Sequence, residues 1–175
     1  MDHAQTANLL GALSLALTSA QEAAAQRAAG LGTSACVALV TLGPHPGTTV
    51  GELAKVLAIS HSVTVRLIDT LVGAGLVARE PGADRRFVKL RLTPLGVKRR
   101  AAIFAARASV LAAALDLVAP ERRSSLGNLA ATLLTGLTHS REDADHICRL
   151  CDEDACPDER CPVECKAVSL SGGAE

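Results

Sequence analysis

Apolar residues recur every three or four positions along most of the chain, which is the spacing that places them on one face of an α-helix. Gly, Pro, Ser and Thr residues interrupt this pattern and mark where helices begin and end. The pattern predicts six helices, over residues 4–29, 34–42, 50–57, 61–72, 94–118 and 120–137. Between the fourth and fifth helices the period changes to two, so that "LVAR" and "RFVKLRL" predict the strands of a β-hairpin.

The third and fourth helices are short, and only the tight turn Ala58-Ile59 separates them. Hydroxyl side chains can cap helices because their oxygens accept hydrogen bonds from the amides of the first turn. The candidate caps are Thr33 for the second helix, Thr48 or Thr49 for the third helix and Ser60 for the fourth helix. Two such helices form a helix-turn-helix, and the hairpin that follows adds a wing. The long flanking helices carry more apolar stripe than one monomer can bury. The predicted fold class is mainly α with a small β-hairpin wing, a winged helix-turn-helix flanked by N- and C-terminal dimerisation helices.

The composition limits the kind of core and the location of the protein. Apolar residues make up 49% of the chain, yet it has two Phe and no Tyr or Trp, so Leu, Val, Ile and Ala must form the core. No apolar run approaches the eighteen or so residues that cross a bilayer. The N-terminal segment carries Asp2 and places Leu9, Leu13 and Leu17 at helical spacing, which predicts a helix of the mature protein and not an export signal. We therefore expect a cytoplasmic protein without a membrane partner, whose thiols stay reduced.

The formal net charge is zero, but the charges are segregated along the chain. Residues 79–100 hold eight Lys or Arg against two acids, whereas residues 141–165 hold nine acids against three Arg. A localised basic segment favours a polyanion such as double-stranded DNA, and an acidic segment is repelled by it. Because the basic segment coincides with the hairpin, the charge pattern indicates that the winged unit binds DNA.

The fourth helix has a second face that is available to read a major groove. The candidate DNA-contacting residues are His61, Ser62, Val63, Arg66 and Thr70 on this helix, with Arg85 and Arg86 at the hairpin tip. Arg66 can contact guanine or a phosphate, and a Val can contact a thymine methyl group. An Arg on a protruding hairpin can enter the minor groove. The alternative is a winged helix that binds protein, whose Arg residues form a solvated face.

Five short motifs at their spacing carry a resemblance to a known family. They are "ELA" at 52–54, "RLIDTL" at 66–71, "GLV" at 75–77, "DRR" at 84–86 and "LTPLG" at 92–96. Together they resemble the core of the multiple antibiotic resistance regulator (MarR) family, and with the flanking helices the resemblance covers roughly residues 5–138.

The resemblance implies a homodimer with interlocked terminal helices whose two winged lobes read a pseudo-palindromic operator. It also implies a repressor that is released by a small-molecule effector or by thiol oxidation. By position, Ser62, Val63 and Arg66 match the base-contacting region of the family, and Arg85 or Arg86 matches its wing-tip arginine. Val63 and Val65 stand where Ser or Thr is commoner, and the chain lacks the aromatics that often line the family's effector pocket.

A Cys-rich tail has no place in that family pattern. Its spacing is C-x2-C-x4-C-x4-C-x3-C, and the expected metal ligands are Cys148, Cys151, Cys156 and Cys161, with Cys165 as alternate. Four thiolates at such spacing most commonly hold a structural zinc ion, and the alternative is an Fe–S cluster that senses metal or redox state. A metal-free thiol–disulfide switch and a disordered tail without a role are the remaining alternatives.

The predicted organisation has three parts. A winged-helix domain with dimerisation helices covers residues 1–140, and its DNA-binding core lies at about 33–96. A metal-binding tail covers residues 141–168, and a mobile end covers residues 169–175.

No arrangement of catalytic residues stands out in the sequence. It shows no Ser-His-Asp set and no glycine-rich loop of the kind that holds phosphates. Cys36, away from the tail, is interpreted as a small buried hydrophobe. The sequence therefore predicts a transcription regulator and not an enzyme. The alternatives are a protein-interaction module with a purely structural zinc site, and a redox protein built on the cysteines.

Overall fold

The computed structural model describes residues 2–81, 88–153 and 155–172. Within these ranges the chain forms eight α-helices, one short 3₁₀ helix at Asp158–Arg160 and one antiparallel pair of strands. In chain order the elements are α1 His3–Ala29, α2 Thr33–Leu42, α3 Val50–Leu57, α4 His61–Gly73, β1 Val77–Pro81, β2 Val88–Leu92, α5 Pro94–Asp116, α6 Pro120–Leu137, α7 Arg141–Cys148 and α8 Pro162–Ser171.

The core surrounds α2, in which every residue from Ala35 to Leu42 is buried. It consists of aliphatic side chains from α1 to α5 and the hairpin, as the composition predicted, and Phe104 only packs against its edge. Cys36 is 1% exposed within this cluster, which confirms its interpretation as a small buried hydrophobe. The long helix α5 packs along α1, and Arg99 fixes the two by donating to the carbonyl oxygen of Ala29 at 2.9 Å.

The helix-turn-helix forms where the sequence predicted it. The side chains of Thr49 and Ser60 accept hydrogen bonds from amides in the first turns of α3 and α4. Ala58 adopts a left-handed conformation with φ of 52°, and the two helices bend by 108° at this break. The cap predicted at Thr33 is wrong by one position, because α2 already includes Thr33 and Gly32 precedes it without a side-chain hydrogen bond.

The wing is the hairpin of β1 and β2, whose register pairs Val77 with Leu92 and Pro81 with Val88. A segment that the sequence predicted only as loop adds to its edge. The amide of Leu90 donates to the carbonyl oxygen of Thr48 at 3.0 Å, and the amide of Gly47 donates to that of Leu90 at 2.9 Å. This pairing holds the entry to α3 against the root of the wing.

Gly96 lies at a close approach between the start of α5 and the start of the hairpin. A Cβ atom at this position would overlap the carbonyl oxygen of Leu76 and press on the Leu92 side chain. We expect Gly96→Ala to destabilise the protein by about 3 kcal/mol or more, because neither backbone can move away within a close-packed junction. Urea denaturation measures this loss.

The matched control is Gly73→Ala, at the end of α4, where a Cβ atom would meet no neighbour within 4 Å. This change should be neutral or slightly stabilising, since Ala favours helix over Gly by up to about 1 kcal/mol. Equal stability losses in both variants would contradict the packing argument.

The terminal helices leave a broad apolar surface uncovered in the single chain. No residue of α6 is buried, and α5 meets α6 at a bend of 118°. The exposed large apolar residues of α1, of the end of α5 and of α6 are Leu9, Leu10, Leu13, Leu15, Leu115, Leu117, Leu126, Leu129, Leu133 and Leu137. These helices contain the stripes that the sequence predicted for dimerisation.

Among the described residues, no single helix has the length and apolarity to cross a membrane. Two sharply bent helix pairs, α3 with α4 and α5 with α6, meet these criteria only when each pair is taken together.

Candidate nucleic-acid interface and thiol cluster

Helix α4 separates its residues into a buried face and a readout face. Thr64, Ile68 and Leu71 are buried against the core. The predicted contact residues of this helix are all exposed, namely His61, Ser62, Val63, Arg66 and Thr70. The structure brings Ser62, Val63, Arg66 and Thr70 together on one exposed face, and it places His61 at the first position of the helix, away from that face. Helical spacing produces this result, since residues three and four apart share a face.

The first turn of α4 combines two hydroxyl groups with one exposed aliphatic side chain. The hydroxyl of Ser60 accepts from the amide of Val63 at 3.4 Å and lies 3.2 Å from the hydroxyl of Ser62. Val63 itself is 48% exposed. A helix N-terminus with hydroxyl groups suits a phosphate, and an exposed Val suits a thymine methyl group.

An ion pair orients the readout helix relative to the wing. Arg79 of β1 donates to the carboxylate of Asp69 of α4 at 2.7 Å. Asp69 is an acidic residue of α4 that would repel phosphates, and its pairing with Arg79 offsets that repulsion. The hairpin tip, with the predicted Arg85 and Arg86, lies outside the described residues.

The basic segment 79–100 offers less charge to a ligand than its residue count suggests. Several of its arginines have partners within the protein: Arg79 pairs with Asp69, Arg91 with Glu80, Arg99 with the carbonyl of Ala29, and Arg100 with the carbonyl of Val40 and the ring of Phe104. Within the described part of this segment, Lys89 and Lys98 are therefore exposed cations, and Arg66 of α4 is a further one.

Helix α3 begins with a reciprocal cap. Thr49 accepts a hydrogen bond from the amide of Glu52, and the amide and hydroxyl of Thr49 both donate to the Glu52 carboxylate, at 2.7 and 2.8 Å. These donors, the backbone amide first, hold the pKa of Glu52 below its ordinary value of 4.5. The cap thereby provides hydrogen-bond acceptors for the backbone amides of Thr49 and Glu52, where the helix-turn-helix begins.

This cap predicts a pH-dependent stability. A carboxyl with a lowered pKa in the folded state stabilises the fold above its unfolded pKa, and this contribution disappears as pH falls through the folded pKa. We expect Glu52→Gln to lower the free energy of unfolding by about 0.5 kcal/mol at pH 7, as is usual for a carboxylate at an exposed helix N-terminus. The difference should disappear in acid, once the pH has fallen through the lowered pKa of Glu52. Urea titrations at neutral and at acidic pH test it, and a difference that persists in acid would contradict the cap.

The tail brings the four predicted ligand cysteines together. The thiol of Cys148 lies within hydrogen-bonding reach of Cys151 on one side and Cys161 on the other, and Cys161 is similarly close to Cys156. Cys161 also caps α8, since its sulfur accepts from the amide of Glu164 at 3.5 Å. The sulfurs thus form a chain of contacts in the order 151, 148, 161, 156.

The fifth cysteine of the tail is separate from this cluster. Cys165 is exposed, and its thiol donates to the carbonyl oxygens of Asp158 and Glu159 at 3.5 and 3.6 Å. Across the described ranges, no group of three or more His, Cys, Asp or Glu side chains stands at metal-binding geometry. The four thiols adjoin one another pairwise and would have to converge to hold an ion.

A cation from the long helix α5 lies beside the cluster. The pKa of Cys151 is lowered, first because it accepts a hydrogen bond from Cys148 and further because the guanidinium of Arg107 adjoins it. The hydrogen bond to Cys151 and partial burial raise the pKa of Cys148. Sequence reasoning missed Arg107, whose only local signal is a charge on a mostly apolar helix.

Between the tail and the winged unit lies a cavity of about 810 Å³. The α2–α3 connection and α3 form one wall, including Thr48, Glu52 and Val56. On the tail side it is lined by Cys148 and Cys151 together with charged residues of α7. Its volume suits a small molecule.

Comparisons with known proteins agree with this architecture. Residues 29–86 match a family model described as MarR family. The YusO protein from Bacillus subtilis has a similar structure, with a TM-score of 0.64 and 22% sequence identity over 76% of this chain and 97% of that chain. MepR, described as a transcription regulator of the Staphylococcus aureus multidrug efflux pump MepA, gives a TM-score of 0.67 and 18% identity over 75% of this chain and 98% of its own.

MarR from E. coli in its apo form gives a TM-score of 0.60 and 21% identity over 71% of this chain and 96% of its own. No curated protein sequence matches the chain significantly. About a quarter of this chain lies outside each structural alignment. The winged helix-turn-helix predicted from the sequence is confirmed.

Proposed function

We propose that the protein is a dimeric, sequence-specific DNA-binding transcriptional regulator that acts as a repressor, because its residues 29–86 match a family model described as MarR family. The observation that carries the proposal is the readout face of α4, where a capped N-terminus, Val63, Arg66 and Thr70 lie exposed together. A helix of this kind fits the major groove, in which each base pair presents a distinct pattern of donors and acceptors.

The proposal of a dimer is supported by the surface of the terminal helices. Leu129 is 64% exposed and Leu137 61% exposed on a helix that has no buried residue of its own. Exposed leucines repeated along α1 and α6 form a larger apolar surface than a monomeric protein usually leaves in water. A second copy of the chain would cover this surface and place two α4 helices for a pseudo-palindromic operator.

The test of DNA binding uses the salt dependence of affinity on fragments of the upstream region. A dimer that contacts about six phosphates should lose about a thousandfold in affinity between 50 and 200 mM salt. The winged-helix protein-interaction module, the alternative function, predicts no retardation of any fragment. Analytical ultracentrifugation of the free protein should give a dimer, and a monomer that ignores DNA would reject the proposal.

We further propose that Cys148, Cys151, Cys156 and Cys161 bind a metal, with zinc as the leading candidate. Their mutual contacts support this, because zinc–sulfur bonds of about 2.3 Å at tetrahedral angles place thiolates about 3.8 Å apart. The thiols adjoin one another in pairs, and binding an ion would draw all four together. Cys165, the alternate ligand, points to backbone carbonyls instead. An Fe–S cluster is the competing cofactor.

Anaerobic purification followed by metal and sulfide analysis distinguishes these cofactors. Zinc without absorbance in the visible range supports the zinc site, whereas iron with acid-labile sulfide replaces zinc by a cluster. A chain that holds neither rejects the metal proposal while leaving the DNA proposal standing. For a small-molecule effector, the cavity between α3 and the tail is the proposed location, since both units line it.

A further inference from the structure

The cavity between α3 and the tail has a negatively charged lining. Among the described side chains that line it, carboxylates outnumber guanidinium groups by five to two. The carboxylates belong to Glu52, Asp145, Glu153, Asp158 and Glu164, and the guanidinium groups belong to Arg141 and Arg149. A cleft lined by an excess of one charge raises the local concentration of ions of the opposite charge. The lining therefore favours a cationic ligand over an anionic one.

The two arginines of the lining are already engaged by acceptors of the protein. Arg141 donates to both oxygens of Glu164, at 2.8 and 2.7 Å, and to the carboxylate of Asp145 at 3.0 Å. Arg149 donates to a backbone carbonyl oxygen at 2.6 Å and so neutralises no carboxylate through that bond. An anionic ligand would have to compete with these acceptors for both guanidinium groups.

Two carboxylates of the tail are open to a ligand. Glu153 and Asp158 are exposed, and within the described ranges neither forms an ion pair with a Lys or Arg. Glu153 lies 3.4 Å from Nε2 of His45, which also lines the cavity. Because no guanidinium or ammonium group offsets these two charges, they attract a cation more strongly than the paired carboxylates do.

The α2 side of the cavity contributes a hydroxyl group without a partner. Thr41 lines the cavity and is 9% exposed, and its Oγ1 is buried with no hydrogen-bond partner among the described residues. Buried hydroxyl groups are nearly always hydrogen-bonded, because an unpaired one has lost water without a replacement. A threonine in a helix has two accessible rotamers, so this hydroxyl can turn to accept a hydrogen bond from a ligand.

From this lining we propose that the cavity binds a small organic cation that carries several N–H groups, recognised by the carboxylates of Glu153 and Asp158 and by the hydroxyl of Thr41. The volume of about 810 Å³ is that of a small-molecule site. It is too large for a bare metal ion, and no group of His, Cys, Asp or Glu side chains in the described ranges stands at metal-binding geometry. This inference rests on the proposed effector site and names the chemical class of its ligand.

The position of the cavity connects such a ligand to the DNA-binding unit. Gly47 and Thr48 line it, and both pair with Leu90 of β2 at the edge of the wing. Glu52 lines it as well, and its carboxylate accepts the hydrogen bonds of Thr49 that cap α3. A bound cation would compete for this carboxylate and loosen the entry to the helix-turn-helix. Ligand binding and operator binding should therefore weaken each other.

The experiment compares three probes of similar shape, namely the cation benzamidinium, neutral benzamide and the anion benzoate. Each is titrated into the full-length protein, and the amide NMR shifts of Gly47, Thr48 and Val56 report binding at the cavity. We expect benzamidinium to bind at least about tenfold more tightly than benzoate, with benzamide between them. Benzoate that binds as tightly as benzamidinium overturns the proposal. So does benzamidinium that shifts none of these amides at any soluble concentration.

Variants then assign the contacts. Glu153→Gln and Asp158→Asn should each weaken benzamidinium binding by about threefold and leave benzamide binding unchanged. Thr41→Val keeps the shape of the side chain without its hydroxyl, and it should weaken the binding of both probes by about threefold. The matched control is Glu142→Gln, which removes the same charge from an exposed position of α7 outside the cavity and should bind as the natural protein does. An equal loss in the control, or natural affinity in the other three variants, overturns the site.

Operator affinity with and without benzamidinium separates the ligand from the proposed function. Saturating benzamidinium should weaken operator binding at least about fivefold, whereas benzoate should leave it unchanged. If benzamidinium binds as expected while operator affinity stays constant, the effector role fails and the ligand assignment stands. If no form of the protein retards DNA, the proposed DNA-binding function fails, and the probe titrations still decide the ligand class.

Discussion

Arg66→Ala should weaken operator binding at least tenfold without changing the fold. Arg66 is exposed on the readout face of α4, between the capped first turn and Thr70, whose hydroxyl donates to the Arg66 carbonyl at 3.0 Å. A good arginine contact to guanine is worth about 1–3 kcal/mol, and a symmetric dimer would lose it twice. Titration of a labelled operator fragment at fixed salt measures the change.

Arg27→Ala is the matched control, because Arg27 is an exposed arginine at the end of α1 and not on the readout face. It should bind the operator as the natural protein does. Arg66→Lys then distinguishes the two contacts that an arginine can make. If Arg66 reads guanine bidentately, Lys should also lose affinity and relax specificity, whereas a phosphate contact should survive the change. Natural affinity in Arg66→Ala would refute the assignment of α4 as the readout helix.

Cys148→Ser should abolish metal binding, and Cys165→Ser should leave it intact. Cys148 is central to the cluster because it alone lies within reach of both Cys151 and Cys161. A serine keeps the shape of the side chain but removes a thiolate ligand, and a tetrahedral site with three remaining thiolates holds zinc far less tightly. We expect the zinc content to fall from about one ion per chain to less than about a tenth of that.

Cys165→Ser serves as the control, because its sulfur contacts the carbonyls of Asp158 and Glu159 and not the other thiols. Limited proteolysis provides a second readout, since α7 and α8 should become sensitive when the metal is lost and should stay protected in the control. Metal retained by Cys148→Ser, or lost from Cys165→Ser, would show that the four ligands are assigned wrongly.

The fold follows from the sequence to the extent that its signals are local. The caps at Thr49, Ser60 and Thr93 each use a hydrogen bond to a residue three positions later, so the residue types suffice to place them. The buried and exposed faces of α4 follow from helical periodicity in the same way. The exposed leucines of α6 were also predictable, because they recur every three or four residues within a single helix.

The thiol cluster was only partly predictable. Cysteine spacing identified a candidate metal site, since ligands close in sequence can reach one ion. The spacing could not exclude Cys165, however, because its position depends on the 3₁₀ helix that ends at Arg160 and on the cap that Cys161 makes for α8. Arg107 joins the site from α5, and nothing in the tail's own sequence indicates it.

The sequence by itself therefore determined the helices α1 to α6, the hairpin, the exposed face of α4 that is proposed to read DNA and the cysteines that are candidate metal ligands. Only the tertiary structure decided that Arg79 pairs with Asp69, that segment 47–49 adds to the wing, and that the tail docks on α3 through His146. The physical reason is the range of the interactions. Periodicity and caps act within about one helical turn, whereas the contact from His146 to Val56 spans 90 residues and forms only when the packed core brings those segments together.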